Sequence, residues 1–147
     1  MLSAAIAMMV VIAEPSPTTV PQPFWWAGRI NAGTWAPLGL GEREVSLTRS
    51  AVQTGPGVKR IWVRYEFRNR GSDGELSAVM LEEFKCKTSQ FRFVSAALYR
   101  EQNMIDPLGV SELNEKEWKN VLPDSSTEQV QEVACRSSSS ILKRRKP

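Results

Sequence analysis

From Val58 onward the chain alternates. Ile61, Val63, Tyr65 and Phe67 interleave with Trp62, Arg64, Glu66 and Arg68, which is the period of two of a strand with one buried face. NRGSDGE follows, and its Asp73-Gly74 pair marks a hairpin turn. The return strand, LSAVMLEEFKCK, puts Ala78, Met80, Glu82, Phe84 and Cys86 on one face. A third strand, QFRFVSAALYR, starts after a short connection and carries Phe91 and Phe93 on one side, with Val94, Ala96 and Leu98 partly on the other. Strands joined by such short turns form an antiparallel meander. EVSLTRSAV, residues 44–52, is a candidate for one or two earlier strands.

Past residue 103 the period is lost. MIDPLGVSELNEKEWKNVLPD sustains no repeat, and residues 111–118 are a candidate for only a helical turn or two. DSSTEQVQEVACR is a better helix. Ser125 with Glu128, or Ser126 with Gln129, has capping-box spacing, and Val130, Val133 and Ala134 make one apolar stripe. The predicted fold class is therefore α+β: an antiparallel meander sheet with a C-terminal helix packed on one face.

The ends of the chain differ in composition from its body. Residues 1–13 carry no charge and end in Val11-Ile12-Ala13. That pattern fits a secretory signal cleaved after Ala13, although a positively charged n-region is missing. An apolar first strand or a core helix is the alternative. Thirteen residues are too few for a membrane-spanning helix, which takes about 20. Residues 14–33 read as a Pro-rich leader, with four prolines in the first ten. Phe24, Trp25 and Trp26 interrupt it. They either dock on the domain, the reading favoured here, or bind something else. Residues 34–136 are the domain. The tail, residues 137–147, is polar and basic and reads as disordered.

The net charge of +3 comes from the C-terminus. Residues 136–147 hold five basic residues and no acid, which leaves residues 14–135 with 14 basic and 16 acidic residues. A body that is slightly acidic lacks the basic face of a nucleic-acid-binding domain, so only the tail could attract polyanions.

Cys86 lies on a central strand of this arrangement, and Cys135 ends the helix that covers it. In an exported chain, two cysteines brought together by packing should be oxidised. Two reduced core cysteines in a cytosolic protein are the alternative, against which the signal-like start weighs.

Catalytic chemistry is hard to assemble from these residues. There is no histidine, so the commonest general base and metal ligand is missing. Two cysteines alone do not make a zinc site, and there is no CxxC, no GxGxxG and no phosphate-binding GxxxxGKS/T. Glu82 and Glu83 point to opposite faces of a strand and cannot flank one bond. They read as solvated charges. No catalytic residue, metal or cofactor is expected.

The order of elements from Trp35 to Cys135 resembles the surface-adhesin protein E family of bacterial envelope proteins. The resemblance rests on Trp35, Ser50-Ala51-Val52, Trp62, Ser77, Phe84-Lys85-Cys86, Arg92-Phe93-Val94, Trp118, Pro123-Asp124-Ser125 and Val133-Ala134-Cys135. It implies an antiparallel sheet with a helix, a strand-to-helix disulfide and export to the periplasm or cell surface. For the best-known members it also implies adhesion to host extracellular-matrix proteins.

Three functions compete: an envelope adhesion module, a periplasmic structural or accessory domain, and a small-ligand or inhibitor domain. If the apolar set of the central strand meets the helix, Trp62 and Arg64 lie on the opposite, open side. A tryptophan beside an arginine is the composition of an interface hot spot. The expected partners are a host matrix protein, another envelope protein or a second copy of the chain. A pocket lined by Trp35, Trp62 and Trp118 would favour the small-ligand reading, and core packing is the alternative for all three.

Overall fold

The computed structural model describes residues 24–136. The signal-like segment 1–13, the first part of the leader and the basic tail lie outside the described residues. The described residues fold as one antiparallel sheet with a single α-helix at their C-terminal end. The strands are β1 (Ala36–Leu40), β2 (Glu44–Thr48), β3 (Val52–Gly55), β4 (Val58–Phe67), β5 (Ser77–Lys85), β6 (Gln90–Glu101), β7 (Ile105–Glu112) and β8 (Lys119–Asn120), and the helix α1 is Ser126–Cys135. The spatial order is β1-β2-β4-β5-β6-β7. β3 adds to β4 beyond the end of β2, and β8 adds to β6. From β4 to β7 each strand pairs with the next in sequence, so the meander runs one strand further than the periodicity predicts.

The alternation along β4 sets the core. Ile61, Val63 and Tyr65 are buried with Ala78, Phe84, Val130 and Ala134, and Val133 packs alongside. The apolar stripe of α1 therefore meets the apolar face of the sheet. Full burial of a side chain such as Val130 contributes about 1.5–3 kcal/mol. Ser125 caps the helix, its Oγ accepting from the Glu128 backbone N–H at 3.2 Å. The Glu128 carboxylate reaches back to the Asp124 N–H at 2.7 Å, one residue before the cap. The end of α1 is tied to the sheet by a Cys86–Cys135 disulfide with a Cα–Cα distance of 5.6 Å. Cys86 lies just past the end of β5 rather than within it.

Several sequence expectations are corrected. A β-bulge interrupts the pairing of β5 with β6 between Leu81 and Glu82, where Ser95 opposes Leu81 and Phe93 opposes Glu82. The extra residue resets the alternation, so Phe91 and Leu98 pack into the same core. Residues 111–118 form no helix; the segment 105–112 is the edge strand β7, and all but one of its residues are exposed. The strand β1, absent from the sequence reading, pairs with β2 across a bulge.

Nor are Glu82 and Glu83 solvated. They point to opposite faces as expected, but both are buried. On the helix side, a Glu82 carboxylate oxygen accepts the Tyr65 hydroxyl at 2.8 Å, and its other oxygen has no partner among the described residues. Burial pushes the Glu82 carboxyl up to about 7 despite that hydrogen bond. Burial, together with the Glu82 charge and hydrogen bond, also holds the Tyr65 hydroxyl far above its usual range.

The raised carboxyl has a consequence for stability. Folding favours the protonated acid, so the folded chain binds more protons than the unfolded chain between pH ~4.3, the ordinary glutamate value, and about 7. Stability from this group is complete below that window and falls as pH rises through it. The loss is on the order of 3 kcal/mol. Glu82→Gln keeps an acceptor for Tyr65 without the charge, and should abolish most of this decline. Urea unfolding at pH 5 and pH 8 checks this; parallel pH dependence in parent and variant would show that Glu82 is not the group responsible.

Candidate functional site

The face of the sheet opposite α1 is divided in two. One half is covered. Trp25, Trp26, Ile30 and Ala32 fold back onto Trp35, Val45 and Leu47, joined by Val79 and Met104. The Trp25 indole N–H donates to the Gly41 carbonyl at 3.0 Å, and Phe24 stacks on Trp26 at 5.2 Å between ring centroids. The aromatic triplet thus docks on the domain.

That docking corrects the placement of Arg64. Strand parity puts it on the side away from the helix, as expected, but the leader lies over it and only 1% of the residue is exposed. Its Nε donates to Glu66 Oε1 at 2.6 Å, one terminal nitrogen to the Asn31 carbonyl at 2.8 Å and the other to Asn103 Oδ1 at 2.9 Å. Asn103 sits in the short turn Gln102–Met104 with a φ of 63° and donates its backbone N–H to the Glu66 carboxylate. Its side-chain amide donates to the Arg29 carbonyl at 2.8 Å. Arg64 is therefore a buried clasp joining β4, the leader and the turn after β6.

The other half of this face is open. Trp62 is 40% exposed there, with Leu81 and Ser95 beside it in register on β5 and β6. In the next row Glu83 stands between two arginines. Arg60 donates to one carboxylate oxygen at 2.6 Å and Arg92 to the other at 2.7 Å. Burial alone would raise the Glu83 carboxyl, but hydrogen bonds and charge from the two guanidiniums outweigh it and hold the group below its usual range. Trp118 lies beside this row between two cations, Lys85 Nζ at 4.3 Å and the Arg92 guanidinium at 4.5 Å from its ring centroid. Glu115 accepts from the Phe93 N–H and from Lys119, and its carboxyl is lowered chiefly by the Lys119 hydrogen bond. A shallow groove of about 200 Å³ runs between Arg60, Arg92, Asn114 and Lys116.

Trp62 thus has Arg60 and Arg92, rather than Arg64, as its accessible basic company. The signal for Arg60 is present in the sequence, two residues from Trp62 on the same strand. Arg92 and Trp118 could not be placed, because the β6 bulge sets the register of one and an aperiodic loop carries the other. The three tryptophans named above have different surroundings: Trp35 is buried under the leader, Trp118 is held between cations and Trp62 is open. Among the described residues no cluster of His, Cys, Asp and Glu could hold a metal ion, and no helix is long and apolar enough to cross a membrane.

No curated protein sequence matches the chain. The crystal form II structure of Haemophilus influenzae protein E is similar over 85% of this chain and 96% of that one, with a TM-score of 0.48 and 10% identity. The profile of the family described as surface-adhesin protein E matches residues 35–136. That match spans the sheet, the helix and both cysteines, and the chain belongs to the surface-adhesin protein E family.

Proposed function

We propose that this chain is an exported envelope protein acting as a non-catalytic adhesion module, with the open half of the sheet around Trp62 as its binding surface. The carrying observation is an exposed tryptophan next to a row of guanidiniums on an otherwise covered face. Tryptophan and arginine dominate protein-interface energetics. Family membership, a disulfide that needs an oxidising compartment and the apolar first 13 residues support the same reading. The partner is a host extracellular-matrix protein or another envelope protein. A second copy of the chain is the alternative occupant.

Labelling of intact cells with a membrane-impermeant reagent is the first test, because a protein inaccessible from outside is not an adhesin. Trp62→Ala is the second. At an exposed site it should leave the melting temperature close to that of the parent. Loss of a hot-spot tryptophan should weaken attachment to immobilised matrix protein about thirtyfold or more. Unchanged attachment and unchanged sedimentation in a folded Trp62→Ala variant would remove this surface from the proposal.

A further inference from the structure

The charges on the open half of the sheet narrow what can occupy it. Glu83 lies under two guanidiniums: its side chain is 4% exposed, and those of Arg60 and Arg92 are 39% and 31% exposed. Arg60 turns Nε and Nη2 to one carboxylate oxygen, at 3.1 and 2.6 Å. Arg92 turns the same two nitrogens to the other oxygen, both at 2.7 Å. The carboxylate is therefore buried, while the cations that hold it reach solvent. Nη1 of neither arginine donates to an acceptor among the described residues. A guanidinium has five N–H donors, so each keeps a free edge. The adjoining groove is lined by a further cation, Lys116, and a second carboxylate, Glu115, which Lys119 already pairs at 2.8 Å. Both acids of the groove are thus engaged within the chain, and what it offers outward is donors and positive charge. Trp62 and the half-buried Leu81 form an apolar floor in the next row.

The covered half of this face shows what such a surface accepts. The leader crosses the strands as an irregular segment, rests Trp25 and Trp26 on apolar side chains, and gives the Asn31 carbonyl to the Arg64 guanidinium at 2.8 Å. A carbonyl suffices there, because Glu66 neutralises Arg64. The open half repeats the arrangement of apolar floor and guanidinium, but Arg60 and Arg92 share one carboxylate between them. A carboxylate from outside would match the remaining charge with fork-shaped, charge-assisted hydrogen bonds. We propose that the occupant of the open half is an acidic segment of a partner protein, with a carboxylate on the free edges of Arg60 and Arg92 and an apolar side chain against Trp62 and Leu81. The proposal rests on the Trp62 surface being the binding face and names the chemistry of its partner. A sulfated glycan answers the charge but sets nothing apolar against Leu81.

Titration of the full chain with a short synthetic peptide rich in glutamate and leucine, followed by amide chemical shifts, tests this. Saturable shifts are expected at Arg60, Trp62, Glu83 and Arg92, and the glutamine counterpart of the peptide should bind about tenfold more weakly. Arg60→Gln and Arg92→Gln should each weaken the acidic peptide about fivefold or more and leave the glutamine peptide unchanged. Each variant leaves Glu83 paired with the other arginine, so no carboxylate is stranded, and melting curves verify that both fold. Equal affinity for the two peptides, equal affinity in parent and variants, or no saturable shift on this face would overturn the proposal. Shifts from a heparin oligosaccharide with none from the peptide would overturn it as well and assign the groove to a sulfated glycan. Trp62→Ala separates these failures from failure of the surface itself. If Trp62→Ala weakens attachment to matrix protein while the arginine variants bind the acidic peptide as the parent does, the surface stands and the acidic partner falls. If Trp62→Ala changes neither attachment nor peptide binding, both fall.

Discussion

Arg64→Ala should destabilise the folded chain by about 3–5 kcal/mol, and it should loosen the leader from the sheet. The buried Arg64–Glu66 pair is fully hydrogen-bonded, and removing one partner leaves the Glu66 carboxylate buried without its guanidinium. The same substitution takes the guanidinium donor from the Asn31 carbonyl and from Asn103 Oδ1, which keeps only the Asn31 backbone N–H. The leader segment around Trp25 and Trp26 should therefore become more accessible than it is in the parent. Removing both charges should be milder. In Arg64→Met with Glu66→Gln, the amide oxygen can still accept the Asn103 N–H and no charge is stranded. Urea unfolding gives the stabilities, and tryptophan fluorescence quenching reports release of the leader. A cost under about 1 kcal/mol for Arg64→Ala would mean that the pair behaves as a surface salt bridge and that the leader does not close over it.

Arg64 also shows where reading the sequence stops. Parity along β4 reports which side of the sheet a residue faces, and it does so correctly for Ile61, Trp62, Val63 and Arg64. Parity carries no information about what later lies over that side. The cover comes from residues 24–35 and from Asn103, which are distant in sequence and show no periodicity of their own. The mistaken solvation of Glu82 and Glu83 has the same origin. Their partners, Tyr65 for one and Arg60 with Arg92 for the other, come from neighbouring strands whose register the sequence does not print.

The elements that were legible are those with one wet and one dry side. β4 and α1 repeat at two and at three to four because each buries a single face. β7 pairs along one edge but is exposed almost throughout, so nothing in it needs to repeat. Pro107 and Gly109 within it further mask the strand. The 113–118 loop that delivers Trp118 is likewise invisible until the Arg92 and Lys85 cations are seen on either side of the ring.

Replacing both cysteines by alanine should cost about 4 kcal/mol, by release of the chain entropy that a cross-link across a separation of 49 residues withholds from the unfolded state. For a domain of this size that corresponds to a fall in melting temperature of roughly 15 °C. Two features make the loss bear on the helix. A ten-residue helix is too short to persist alone in water, and among its residues only Val130 and Ala134 are fully buried. The bond at Cys135 holds its last turn to the sheet, so the C-terminal turn of α1 should exchange its amide protons faster in the variant while β4 and β5 remain protected. The denaturant slope should rise as well, because the uncross-linked unfolded chain exposes more surface. Together these outcomes separate a constraint on the unfolded state from simple damage to packing, which would lower stability at constant slope. A double variant that melts within two or three degrees of the parent would show that packing of Val130 and Ala134 alone secures the helix. The disulfide would then be dispensable, and folding would not depend on an oxidising compartment.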